Sequence, residues 1–279
     1  MPEKILYIGW DVGGWEGKQD GVAVVMVDAN GRLTLVQPPV CVGLRGLLCS
    51  GAFSVGSLLG ACGVNDGWGR VVIGIDAPLG WPIEAARLMS PDSDEPPYMP
   101  GCAGEIENRL AYRFCDRVVY RRCGKKPLPA VFDRLGNNAT KAITACRLLA
   151  QSDGAVLVPQ GGTTGKVVIC EAYPALWKSG GRKADRLREE AEMALVGCVM
   201  PKPGCDEADA VLCALTAACY DNQSRGLGTE LPELYLPEHE YGRKDTEADA
   251  ETTVKTEGWI YFPVCALSQG HPMPEGSGG

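Results

Sequence analysis

The chain has 279 residues, 45% of them hydrophobic and 22% charged, a balance that excludes a disordered or fibrous protein and provides for a substantial core. A formal net charge of −8 argues against broad adhesion to nucleic acid, though not against one local basic strip. No apolar run reaches the roughly 20 residues of a membrane span, and the opening MPEKILYIGWD enters a strand-like run without a signal-peptide pattern, so a cytoplasmic protein is expected.

Four strand signals occupy the first third of the chain, at residues 4–11, 21–28, 33–40 and 70–76. The second and third are joined through Asn30-Gly31, a pair suited to the positive φ angles of a tight hairpin, so the first three strands are expected as an antiparallel meander. Residues 43–63 are long enough for a helix but weakened by glycine. After Pro82 come a proline-rich stretch at 90–102, a helix from about 105 to 122 and a second helix at 137–151. KVVIC, residues 166–170, reads as a fifth strand ending at Glu171. A charged helix at 182–195, the breakers MPKPGC and the helix DEADAVLCALTAACY come next. Past Tyr220 only EGWIYFPV, residues 257–264, has the pattern of ordered structure, as a late strand or a docked tail.

The 13 cysteines are scattered through apolar segments, where a reduced thiol serves as a small hydrophobe. There is no C-x-x-C pair and there are two histidines, which argues against a zinc site. Chemistry must therefore come from carboxylates. Asp11 closes the first strand, Asp76 the fourth and Glu171 the fifth; in a sheet with parallel strands, such ends gather along one edge. Asp206 and Asp209 lie three apart in the first turn of a helix, where they serve equally as caps for free amides or as further acids for the same edge. Carboxylates forced together repel unless a cation compensates, and oxygen-only ligands suit Mg²⁺ or Mn²⁺. Two such ions about 4 Å apart would activate water and stabilise the leaving oxygen of a phosphodiester. Arg113, Arg117 and Arg121 share one face of a helix that would meet phosphates, although a solvated helix face is the commoner meaning of such spacing.

A meander, then alternating helices and strands, then an acidic helix is the ribonuclease H-like order. The motifs GWDVGGW around Asp11, IDAPLG around Asp76, RFCD at 113–116, EAYP at 171–174, DEADA at 206–210 and the closing EGWIYFP resemble the DUF429 family of predicted ribonuclease H-like nucleases. The resemblance spans most of residues 4–263. It implies a metal-dependent site at Asp11, Asp76 and Asp209, with Glu171 and Asp206 as further candidates and with Arg113 and Asp116 lining the cleft. Tyr173 stands where members often carry histidine.

The resulting expectation is an α/β, ribonuclease H-like domain over residues 1–265, with a mixed five-stranded sheet, a helical and loop insertion at about 82–165, and a flexible tail at 266–279. The expected activity is hydrolysis of DNA or RNA with Mg²⁺ or Mn²⁺, Asp11 bridging two ions and Asp76 and Asp209 completing each side; Arg113, Arg117 and Arg121 would steer the strand. Two rivals start from the same residues. DVGG with a second loop QGGTTG, residues 160–165, resembles the phosphate loops of actin-like ATPases and sugar kinases, though only one meander is visible. A noncatalytic shell binding a partner protein or nucleotide would retain the acids as caps and turn residues. Trp10 and Trp15 beside Asp11 are placed to stack a base, yet such residues more often pack a core.

Overall fold

The fold, taken from a computed structural model, is described for residues 4–17, 19–27, 32–65, 67–90, 96–101, 105–131, 133–162, 164–178, 189, 195, 201–226 and 231–267. The Asn30-Gly31 turn, most of the charged helix expected at 182–195 and the glycine-rich tail lie outside the described residues.

The elements are β1 (Ile5–Asp11), β2 (Asp20–Val27), β3 (Leu33–Leu35), β4 (Val40–Val42), α1 (Arg45–Cys49), α2 (Val55–Ala61), β5 (Arg70–Asp76), α3 (Ile83–Met89), α4 (Phe114–Cys123) and α5 (Asp133–Asp153). Next come β6 (Val156–Leu157), β7 (Val167–Ala172), α6 (Pro174–Trp177), α7 (Asp206–Arg225), β8 (Leu234–Tyr235), α8 (Ala250–Glu257) and β9 (Ile260–Pro263). The sheet runs β3-β2-β1-β5-β7-β9-β8, with β4 also on β2 and β6 also on β7. β1 is antiparallel to β2 and parallel to β5, β5 is parallel to β7, and β7 is parallel to β9.

Among the described residues the sheet has nine strands where five were expected. One expected strand, 33–40, divides into β3 and β4 around Pro38-Pro39, which cannot donate to the ladder; both pieces pair with β2. EGWIYFPV supplies β9 and recruits the two-residue β8, a pairing too short to show as periodicity. The weak helix at 43–63 is two short helices, separated around Gly51 at φ 71°. The helix expected from about 105 begins only at Phe114, because the Asn108 side chain accepts from Leu110 N at 3.0 Å and folds the segment before it into turns.

Alternation along each strand builds two cores. Leu6, Ile8, Val71, Ile73, Val167 and Ile169 face α1, α2 and α5, whereas Tyr7, Val72, Val168 and Cys170 face α4, α6 and α7. α7 lies directly on the second face. A Cβ on Gly9 would stand 1.8 Å from the Ala210 carbonyl oxygen, and one on Gly74 would stand 2.2 Å from that of Cys213. Glycine is required at both places so that helix backbone can rest on strand backbone. No helix among the described residues is long and apolar enough to cross a membrane.

Candidate active site

β1 and β5 are parallel and in register, so Asp11 stands beside Asp76 at their carboxyl ends. Both acids share the parity of Gly9 and Gly74, which puts them on the face that α7 covers. The close approach at those glycines brings the first turn of α7 over them, and Asp209 with it. The electrostatics record the meeting. Burial, then Asp206 and Asp209, push the Asp11 carboxyl up to about 7. Burial, then Asp11, Asp209 and Glu171, drive Asp76 well above the ordinary carboxylate range. Asp206 is on the same turn but exposed.

Lys178, one residue past α6, opposes this negative charge. Its ammonium pairs with Asp209, and it works against the upward shifts of both Asp11 and Asp76. Nothing in the sequence pattern singles it out, since it is distant in the chain from every acid it meets.

Glu171 is set apart. It pairs in register with Ile75, and it lines the same cleft as Asp76 and adds to the upward shift of that carboxyl, but it has a cation of its own. It is held by Arg113, whose Nη1 and Nη2 donate to Oε2 and Oε1 at 2.7 Å each, and by Leu79 N at 2.8 Å. Arg113 also donates through Nη2 to Asp116 Oδ1 at 3.0 Å, and Arg113 N donates to Asp116 Oδ2 at 2.8 Å, which caps α4. Burial works against the guanidinium charge, but Asp116 and Glu171 more than offset it and hold Arg113 fully ionised. Asp76, Arg113, Asp116, Glu171 and Tyr173 line one small cleft whose rim is Pro127, Leu128 and Leu135. Burial, with Asp76 and Asp116 behind it, pushes the Tyr173 phenol up to about 12, so it stays neutral.

The expected phosphate-facing strip on α4 needs correction. Arg113 and Arg117 are buried; Arg117 donates to Glu247 at 2.7 Å and to the Tyr112 carbonyl at 2.9 Å, and Arg121 donates to the Asp245 carbonyl at 3.2 Å. Arg117 and Arg121 fasten α4 to the segment before α8, and Arg113 fastens it to the end of β7. The spacing of three basic residues on one helical face is real, but that face is turned inward.

A second buried ion pair fixes the loop after Asp11. Lys141 Nζ donates to both oxygens of Asp20 at 2.8 Å and to the Gly14 carbonyl at 2.9 Å. Asp20 also accepts from Gly13 N and Trp10 Nε1. Asn138 donates to the Val12 carbonyl, and Asn137 accepts from Trp15 N. Trp10 is therefore a core residue and Trp15 is tied to α5. The sequence signal for the ion pair is a lysine within the alanine-rich NATKAITA, which a search for acids at strand ends passes over.

No three His, Cys, Asp or Glu side chains among the described residues are grouped to hold a metal ion. Asp11, Asp76 and Asp209 are all carboxylates, and burial with mutual repulsion raises the first two above the ordinary range. The last residue of the loop QGGTTG, Gly165, accepts from Arg70 at the start of β5, the end of that strand opposite Asp76.

Fold and cleft together define a mixed α/β protein with carboxylates gathered at the ends of adjacent parallel strands. The family model described as protein of unknown function (DUF429) matches residues 9–233, and the chain belongs to that family. No curated protein matches the chain. No solved structure matches it either.

Proposed function

We propose that the chain is a ribonuclease H-like, metal-dependent hydrolase of nucleic-acid phosphodiesters. The supporting observation is the register of Asp11 with Asp76 beneath the first turn of α7, within the strand order β3-β2-β1-β5-β7. Asp11, Asp76 and Asp209 would hold Mg²⁺ or Mn²⁺, which when bound supplies positive charge for a phosphate and acidifies water. The chain's own residues orient this site. The Lys141–Asp20 pair fixes the loop that follows Asp11, and the Arg113 bridge from Asp116 to Glu171 fixes the ends of β7 and α4. In the reaction, a water oxygen bonds to phosphorus as the opposite P–O bond breaks, in line. The position of Gly165 at the start of β5, away from the strand end that carries Asp76, weighs against the kinase-like rival, whose two loops would have to share a phosphate.

The test is incubation of labelled single-stranded and duplex DNA, RNA and hybrid oligonucleotides with Mg²⁺ or Mn²⁺. Cleavage that is abolished by chelator and lost in Asp11→Asn is expected; retention of cleavage in that variant rejects the assignment.

A further inference from the structure

Most of the cysteines among the described residues are buried, where a thiol serves as apolar filling. Cys41 of β4 and Cys205, the residue before α7, are partly exposed instead, and the fold brings them to one place. Cys41 stands opposite Gly21 in the ladder of β2 and β4, and opposite side chains of an antiparallel pair leave the sheet on the same face. That face is the one on which α7 begins. A Cβ on Gly21 would stand 2.3 Å from the Asp206 carbonyl oxygen and 2.9 Å from the Asp206 Cβ, so the first residue of α7 rests on the strand beside Cys41. β4 and α7 pack against each other.

Cys205 is one residue back from that contact. Its backbone is extended, with φ −100° and ψ 157°, and its side chain caps no amide of the helix. Glu207 meets both thiols: hydrogen bonds from Cys41, from its own amide and from Cys205 hold its carboxyl below the usual range. Opposite Cα atoms in such a ladder lie about 4.5–5.5 Å apart. A disulfide joins Cα atoms about 4.4–6.8 Å apart, so a bridge from β4 to the start of α7 has one strand spacing to cover.

We propose that Cys41 and Cys205 are a thiol pair that closes to a disulfide by exchange with a small-molecule disulfide, and that the bond ties the first turn of α7 to β4. One sulfur of the pair bonds to a sulfur of the small disulfide, whose S–S bond breaks and whose other half leaves as a thiolate. The second sulfur of the pair then bonds to the first and expels the remaining half. The two protein protons pass to the departing thiolates, so two protein thiols are oxidised and one small disulfide is reduced to two thiols. The Cys205 carbonyl accepts from Ala208 N at 3.0 Å and Asp209 N at 3.2 Å, so the new bond would hold the turn that carries Asp209. None of this depends on whether the carboxylates bind a metal ion.

The test uses the native full chain and oxidised glutathione, with remaining free thiols blocked by iodoacetamide and the protein digested without reduction for mass spectrometry. Expected are a peptide pair joined through Cys41 and Cys205, its reopening by dithiothreitol, and slower amide exchange over residues 206–210 in the oxidised protein than in the reduced one. Cys205→Ser, at a partly exposed position, should show neither the link nor the slowing. Recovery of the two wild-type cysteines as free thiols, as separate glutathione adducts or joined to other cysteines overturns the pair. A link between them that leaves those exchange rates unchanged overturns the tether.

Discussion

Asp11 carries the clearest consequence of burial beside like charges. Its carboxyl rises from the ordinary 3.8 to about 7 in the fold. Between those values the native state holds a proton that the unfolded chain has released, so the contribution of this residue to metal-free stability is present below about pH 4 and lost as the pH climbs through 7. Asp11→Asn should flatten that slope, as urea midpoints at about pH 5 and pH 8 will show. On the proposed metal-dependent reading, Mn²⁺ would compete with the same proton, and its affinity would increase from about pH 6 to pH 8. Arg113 is the opposite case, a buried cation fully paired with Asp116 and Glu171. Its truncation to methionine strands two buried carboxylates, at an expected cost of about 3–5 kcal/mol by chemical denaturation. The sequence showed each of these residues as a type at a position. It did not show that the Asp11 carboxylate would face other acids while that of Glu171 faced a guanidinium.

At the scale of elements, the site depends on α7 resting on the sheet. Gly9 and Gly74 permit the contact, and a methyl group at Gly9 would overlap the Ala210 carbonyl. Gly9→Ala is expected to cost at least about 1–3 kcal/mol and to shift Asp209 away from Asp11, which on the proposed metal-dependent reading would remove any thermal stabilisation by Mn²⁺. Gly60, in α2, has no atom within 4 Å of an added Cβ, so Gly60→Ala should be neutral or stabilising by up to about 1 kcal/mol. Melting curves of both variants, with and without Mn²⁺, separate close packing from general glycine effects. The strands β1, β2, β5 and β7 were legible because their apolar runs are long. β9 was legible only as an ordered segment and β8 not at all, because pairings of two to four residues carry no periodic signal and exist only against a partner.

Over the whole molecule, β1, β5 and β7 form a parallel centre with a buried core on each face, while β3, β4 and β8 are short and peripheral. Amides of that centre and of α7 should exchange with solvent only through global unfolding, and those of β3 and β4 earlier, as hydrogen-exchange mass spectrometry will report. The sequence by itself determined the α/β class, the central strands and the presence of an acid at the ends of β1 and β5, because alternation and chain breaks are local properties. Tertiary structure alone decided that Asp11 and Asp76 stand in register, that Glu171 meets Arg113, that Arg113 and Arg117 turn inward and that Lys178 pairs with Asp209. Those facts depend on strand register and helix docking, which are set by contacts between residues far apart in the chain and leave no trace in any single window of it.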